Sequence, residues 1–527
     1  MDGLNFVVFL RLENQCIKMM KKTVVTTVIV AGTLLASFSA SAQYKTKDAP
    51  ENGQNPEVQA ILEQAEAAET PVVITLEQAL EIALSENVSV KVADMEIERT
   101  GFAKKVSYAA LFPQIDASGA YQRTIKKQVM YMDFDMSSLG GLGGGTGEGG
   151  ETELPDGVEI PDGVEIPETD TESSKNGGGL EVGRWNTWSA GVTAAMPLVN
   201  AQLWKSIRIS GLDVELAVEK ARSSRLETVT QVKNAYFATL LAKEAFNVYK
   251  DVYENAVSNY EEAKKKFDAE KISEMELLRA KTTVANAIPN VYNAESSIIL
   301  ALWQLKAVLG VDLDMNLDIA GQLADYADHM LYDMHQHDSL DLDRNTTMKQ
   351  LAIQSEMLAE TIKLQKYANI PSLALAFNFS MNAMTNDFKF SEYRWTPYSY
   401  VGLSLNIPIF AGGKRYQAIR QAKNQYQQVQ LQTENTERQL KIAIRQSLTT
   451  METNMKSYYA AQDAVASAAK GYSIAEKAYQ VGRSTLIELN DAQLALTQAQ
   501  LAESQAIYNF VIAKAQLEQT LGQDFIE

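Results

Sequence analysis

Near its C-terminal end the chain reads Tyr479-Gln480-Val481-Gly482-Arg483-Ser484-Thr485-Leu486-Ile487-Glu488-Leu489-Asn490-Asp491-Ala492, set between long runs rich in Ala, Gln, Glu and Leu at helical spacing. Gly482 can take the left-handed conformation that ends a helix, and Ser484 or Thr485 can begin the next one. Thr485 and Glu488 stand three apart as a capping box, in which each side chain satisfies an N–H left without a partner at a helix start. The stretch is therefore the tip of a helical hairpin. A second tip lies 212 residues earlier, Phe267-Asp268-Ala269-Glu270-Lys271-Ile272-Ser273-Glu274-Met275-Glu276-Leu277-Leu278-Arg279-Ala280, with Ser273 and Glu276 as its expected box.

The repetition extends outward from the tips. Leu309-Gly310 returns as Leu521-Gly522 at the same offset of 212, and Met196-Pro197-Leu198 returns as Ile407-Pro408-Ile409 at 211. Upstream, Phe112-Pro113 returns as Ile370-Pro371 and Asn87 as Asn345, both at an offset of 258, so the first copy holds about 47 extra residues between 113 and 197. Internal duplication of this kind decides the fold more firmly than any single motif. The sequence divides into a first repeat, 75–310, a connecting segment, 311–344, and a second repeat, 345–527.

Within each repeat two periods alternate. Leu76, Leu80, Ala83, Leu84, Val92, Met95 and Val106 recur at helical spacing and predict one rod from Leu76 to Leu111, ended by Pro113. Val229, Val232, Tyr236, Leu240, Tyr249, Tyr253, Ala256 and Tyr260 mark a rod from Lys205 to Lys266 of roughly 93 Å. A helix this long belongs to a coiled-coil-like assembly. The return helix is expected from Glu274 to Leu309, kinked at Pro289. In the second repeat the helices run from Gly413 to the tip and from Thr485 to Leu521.

Between the rods the period is two. Ile115, Ala117, Gly119 and Tyr121 alternate with Asp116, Ser118, Ala120 and Gln122; Trp188, Ala190, Val192, Ala194 and Met196 with Ser189, Gly191, Thr193 and Ala195. Leu373, Leu375, Phe377, Phe379 and Met381 alternate with Ala374, Ala376, Asn378, Ser380 and Asn382; Val401, Leu403, Leu405 and Ile407 with Gly402, Ser404 and Asn406. Four strands of about ten residues, apolar on one face and small or polar on the other, fit a membrane barrel with a wet lumen. An ordinary sandwich would need a second sheet to cover, and none is legible. Four strands cannot close a barrel, and an open edge in lipid leaves backbone groups unsatisfied, so the chain must oligomerise as a dimer, trimer or tetramer.

The remaining segments set the context. The formal charge of −18 argues against a nucleic-acid partner. Residues 1–42 read as a leader and signal peptide: Lys18, Lys21 and Lys22, an apolar run from Thr23 to Phe38 too short to span a bilayer, then Ala40-Ser41-Ala42 before Gln43, with Met19 or Met20 as the expected start. Cleavage would remove Cys16, the one cysteine, so no disulfide is expected. Residues 43–74 are expected to be a flexible lead-in. Residues 128–186 join the first two strands; from 134 to 181 they hold 12 acidic residues and one basic, Lys175, a net of −11. Such a glycine-rich acidic run is expected to be a solvated loop, dispensable for assembly, rather than a divalent-cation site. The three histidines, His329, His335 and His337, lie in the connecting segment at spacings that match no firm metal motif.

The tip sequences, the opening Thr75-Leu76-Glu77-Gln78-Ala79-Leu80-x-x-Ala83-Leu84-x-x-Asn87, and Ile407-Pro408-Ile409-Phe410-Ala411-Gly412-Gly413 after a strand resemble the TolC-like outer-membrane efflux proteins over about residues 75–522. The resemblance implies an α+β membrane protein in which duplicated antiparallel helical hairpins form a periplasmic coiled-coil tunnel. Four amphipathic strands per chain would join a homotrimeric, twelve-stranded outer-membrane β-barrel. The acidic loop would lie outside the cell. Gln43 stands where lipidated relatives carry a cysteine, so a lipid anchor is not expected. The implied partners are outer-membrane lipid, a periplasmic adaptor and an inner-membrane pump. Both tips would dock the adaptor through Lys271, Leu277, Leu278, Gly482, Arg483, Leu486 and Leu489. Glu488 and Asp491, three apart on one helix face, match the two acidic positions of the family's periplasmic gate, where mutual repulsion among three copies would raise some pKa values. The counterpart of Asp491 in the first tip is Arg279.

No catalytic constellation is present: no Ser/His/Asp order, no metal-spaced His/Glu pair, and no glycine loop opening a helix. Neither cofactor nor metal is expected. The expected function is a passive exit duct of a tripartite efflux or type I secretion system. A structural or adhesive coiled-coil envelope protein would explain the helices but not the strands; a simple porin would explain the strands but not the rods; an adaptor would not need paired amphipathic strands.

Overall fold

The structure, a computed structural model, describes residues 71–130, 180–327, 330, 342–389 and 392–523. The expected leader and signal peptide, most of the acidic segment 128–186 and the three histidines lie outside the described residues. In chain order the elements are β1 (Val72–Ile74), α1 (Leu76–Glu86), α2 (Val88–Ala109), β2 (Gln114–Arg123), β3 (Gln128–Met130), β4 (Leu180–Val182), β5 (Asn186–Val199), α3 (Ala201–Asp268), α4 (Glu274–Leu309), β6 (Leu317–Ile319), a 3-10 turn (Leu323–Tyr326), α5 (Thr346–Tyr367), β7 (Ser372–Thr385), β8 (Thr396–Asn406), α6 (Lys414–Gln480) and α7 (Leu486–Leu521).

The duplication is physical. α3 and α6 have 68 and 67 residues, and their return helices α4 and α7 have 36 each. At 1.5 Å per residue the long members reach about 100 Å. α3 packs along α4, and α6 along α7; α3 also contacts α2, α5 and α7. The core follows the apolar stripe of α3, with Val229, Val232, Tyr236, Leu240 and Ala256 buried.

The four long strands form one antiparallel sheet in the order β2-β5-β7-β8. Its register places Ile115 opposite Ala194, Ala194 opposite Phe377 and Phe377 opposite Val401, so the apolar residues of all four strands share one face. Asp116, Thr193, Asn378 and Tyr400 line up on the other. α2, α3, α5 and α6 all join the sheet at one end, and β2 leads to β5, and β7 to β8, from the opposite end. β2 and β8 are free edges: the sheet does not close within the chain. Among the described residues no helix is long and apolar enough to cross a membrane.

Several sequence expectations need correction. The rod from Leu76 to Leu111 is two helices, because Asn87, at φ −60° and ψ 129°, is extended and caps both. The return helix has the expected bounds: α4 is one helix, Glu274–Leu309, that contains Pro289. The lead-in ends in a strand: β1 pairs in parallel with β6, with Ile74 opposite Ile319, and both are buried. The ends of the segment 128–186 pair as β3 and β4.

The pairing of the repeats explains their shared residues. Asn87 caps α2 through Ser89 N–H (2.7 Å) and donates its amide to Val308 O at the end of α4 (2.7 Å). Asn345 repeats this, accepting from Met348 N–H (2.9 Å) and donating to Thr520 O at the end of α7 (2.6 Å). Gly310 and Gly522, at φ 79° and 69°, end those helices in the left-handed conformation. A Cβ on Gly310 would stand 2.7 Å from Glu86 O, and one on Gly522 would collide with Arg344 O. Arg222 bridges the second junction, donating to Gly522 O (2.8 Å) and Arg344 O (3.1 Å). Thus the Asn and the Leu-Gly of each copy are two halves of one joint.

Candidate functional site at the hairpin tips

The two tips have the same backbone. Ala269, Glu270 and Lys271 donate to Lys265, Phe267 and Lys266 carbonyls, and Val481, Gly482 and Arg483 donate to Lys477, Tyr479 and Ala478. The left-handed position is Gly482 (φ 74°) in one and Glu270 (φ 55°) in the other. A left-handed L-residue costs roughly 1–2 kcal/mol, so the first tip carries strain that the second does not.

Capping differs between them. Thr485 accepts from Glu488 N–H (3.3 Å) while Glu488 accepts from Thr485 N–H (3.1 Å) and from the Ser484 hydroxyl, so the second box is complete. The Ser484 hydroxyl, then the Thr485 N–H, hold the Glu488 carboxyl below its usual range. At the first tip Ser273 accepts from Glu276 N–H (3.3 Å), but the expected return bond from Glu276 to Ser273 is not formed. Glu276 is half-buried, and its charge acts instead on Tyr479.

A cross-hairpin contact that the sequence reading missed holds the tips together. Lys266 on α3 donates to Tyr479 O at the end of α6 (2.7 Å), pairs with Glu262 (2.9 Å) and lies 4.2 Å from the centroid of the Tyr479 ring. A cation over a ring and against a C-terminal carbonyl is favoured twice. The clustered Lys264-Lys265-Lys266 in a last helical turn was the available signal. Tyr479 is buried with Ala263, Ala280, Leu486 and Leu489, flanked by Leu277. Burial, then the charges of Glu276 and Glu262, push its hydroxyl pKa up. Asn490 donates to Thr283 (3.2 Å) and Asn255 to Gln493 (3.3 Å) across the same seam.

The predicted residues therefore separate. Leu486 (3 % exposed) and Leu489 (0 %) fill the seam and offer no surface to a partner, because they are needed to join the hairpins. Lys271, Leu278, Gly482 and Arg483 are exposed, and Leu277 is half-buried. Exposed Met275, Leu278 and Ile487 line an open groove of about 650 Å³ between the first turns of α4 and α7, with Glu274, Arg279 and Asn490. Glu488 and Asp491 are both exposed, on the side of α7 away from Leu486 and Leu489. Among the described residues no cluster of His, Cys, Asp or Glu could hold a metal ion.

Comparison with known proteins gives a consistent result. The family model described as outer membrane efflux protein matches residues 167–311 and 339–523. The outer membrane protein TolC of Vibrio cholerae serotype O1 is 20 % identical over 342 residues, covering 63 % of this chain and 76 % of that protein. The CmeC outer membrane channel of Campylobacter jejuni superposes with a TM-score of 0.62 at 18 % identity, covering 87 % of this chain and 91 % of that one. VceC of Vibrio cholerae gives 0.60 at 14 %, covering 85 % and 96 %.

Proposed function

This chain belongs to the outer membrane efflux protein family, an outer-membrane transport protein and not an enzyme, and from that premise we propose that three copies form one continuous exit duct for substrates delivered by an inner-membrane pump through a periplasmic adaptor. The observation that carries the proposal is the sheet: apolar in register on one face, polar on the other, and open at both edges. Pairing β8 of one copy with β2 of the next removes every unsatisfied edge, as a lipid-embedded sheet requires, and three copies give twelve strands. A second feature supports association. Val88, Val92, Met95, Phe102 and Val106 form an exposed apolar stripe along α2, each at least 58 % exposed. A stripe of this length on a single chain marks a face that a neighbour covers.

In this duct the helices extend the barrel into the periplasm, and the tips close or open its inner end. Asp491 and Glu488 would surround the entrance, and the groove between α4 and α7 would receive the adaptor beside Lys271, Leu278 and Arg483. The cargo is an efflux substrate or a secreted polypeptide. Purified protein in a planar lipid bilayer tests the proposal. Discrete cation-selective conductance steps are expected; a protein that inserts but never conducts would refute the duct.

A further inference from the structure

On the polar face of the sheet two tyrosines of β8 stand among mostly small and amide side chains. Register places Ser118, Gly191, Ser380 and Tyr398 in one row across the four strands, and Asp116, Thr193, Asn378 and Tyr400 in the next. Tyr398 and Tyr400 are 61 % and 46 % exposed, with ring centroids 5.8 Å apart and planes inclined by 48°. The Tyr400 ring lies along its own strand beside Gly402, where a Cβ would meet it at 3.8 Å. The two rings therefore stand side by side over a floor of small residues.

Two ordinary explanations fail on the same register. An interfacial aromatic girdle belongs on the lipid face. These rings point to the other face, and Pro397, Ser399 and Val401 are their lipid-side neighbours. Core packing would bury them, yet nothing among the described residues covers them. Asp116, in the row of Tyr400, is the one charged residue on the polar face of the four long strands.

We propose that Tyr398 and Tyr400 form an aromatic contact band in the outer third of the duct, at which organic cations with an aromatic or apolar body bind as they leave. The inference rests on the duct reading, which makes this face the lumen. The electron-rich ring faces attract a cation that has shed part of its water, and the neighbouring rings offer apolar area to the body that carries it. Asp116 supplies the matching charge, and three copies would place six rings and three carboxylates around one lumen.

The test is single-channel recording of the full-length protein in a planar bilayer, with tetraphenylphosphonium and tetraethylammonium as probes. Wild type is expected to be blocked by tetraphenylphosphonium at lower concentration than by tetraethylammonium. The double variant Tyr398→Ala, Tyr400→Ala should need about tenfold more tetraphenylphosphonium, a change the size of one cation–π contact. The double Phe variant keeps the ring faces and should behave as wild type, while Asp116→Asn should weaken block by both cations. Equal block of wild type and the Ala variant, in channels that conduct normally, overturns the band and leaves the duct standing. If the Ala variant fails to assemble where the Phe variant assembles, the rings are a subunit contact and the proposal is wrong. A wild type that does not conduct removes the duct reading and the band with it.

Discussion

Asn345→Asp should destabilise the protein at least as much as Asn345→Ala, although aspartate caps helices as well as asparagine does. Asn345 is 3 % exposed and has two tasks: its Oδ1 accepts from Met348 N–H, and its Nδ2 donates to Thr520 O at 2.6 Å. Ala loses both. Loss of the cap costs about 1 kcal/mol, and a buried carbonyl deprived of its donor costs about 1–3 kcal/mol, so roughly 2–4 kcal/mol is expected. Asp keeps the cap but has no donor at neutral pH, and it brings a negative charge to the carbonyl end of α7, where the helix dipole is also negative. Protonation restores a donor, so the Asp variant, unlike the Ala variant, should regain stability as pH falls from 7.5 towards 5. Thermal unfolding of detergent-purified protein, followed by tryptophan fluorescence at both pH values, is the assay. An Asp variant within 0.5 kcal/mol of wild type at pH 7.5, about the noise of a neutral surface change, would show that Asn345 only caps α5 and that the joint with α7 is not held by this bond.

Other expectations follow from single sites. Gly482→Ala should cost about 1 kcal/mol, since the left-handed position loses its glycine, whereas Glu270→Gly at the matching position should be neutral or stabilising; equal losses from both, by thermal unfolding, would contradict the strain assigned to Glu270. Glu360 is bonded by Lys205 and Lys363, both at 2.7 Å, and these bonds lower its pKa. A depressed carboxylate contributes stability above its unfolded pKa and loses it as pH falls through the folded value, so the advantage of wild type over Glu360→Gln should shrink below about pH 4.5, and an advantage that grows on acidification would reverse the assignment. Asp491→Asn with Glu488→Gln should reduce cation selectivity and weaken block by multivalent cations added at the helical end; unchanged selectivity and block would mean that the entrance is built from other groups.

What was legible in the sequence was whatever a short window carries. Gly482 and the Thr485–Glu488 box announce a turn and a helix start within ten residues, and the alternation of Val401, Leu403 and Leu405 announces a strand and its apolar face. The duplication extended these readings to the whole chain. What escaped depends on partners far away in sequence. β1 and β6 have three residues each, too few for a period, and exist because each is the other's partner across some 245 residues. Glu276 has the right residue at the right spacing for a cap, yet its carboxylate does not accept the return bond from the Ser273 N–H. Leu486 and Leu489 look like an apolar docking surface until the seam with Ala263 and Ala280 is seen to need them. The role of Asn87 as a break between two helices was hidden because the apolar spacing continues across it. Thr75 and Gln78 form a full capping box whose S/T-x-x-Q signal was available and not used.

The open sheet requires neighbouring copies to close it, three in the proposed duct. Electron cryomicroscopy of the detergent-purified protein addresses this directly. The expected particle is a hollow cylinder with threefold symmetry, in which β8 of each copy pairs with β2 of the next and the apolar faces of all twelve strands point outward. A stable single-chain particle, or a solid fibre of helices with the sheet edges left unpaired, would contradict it.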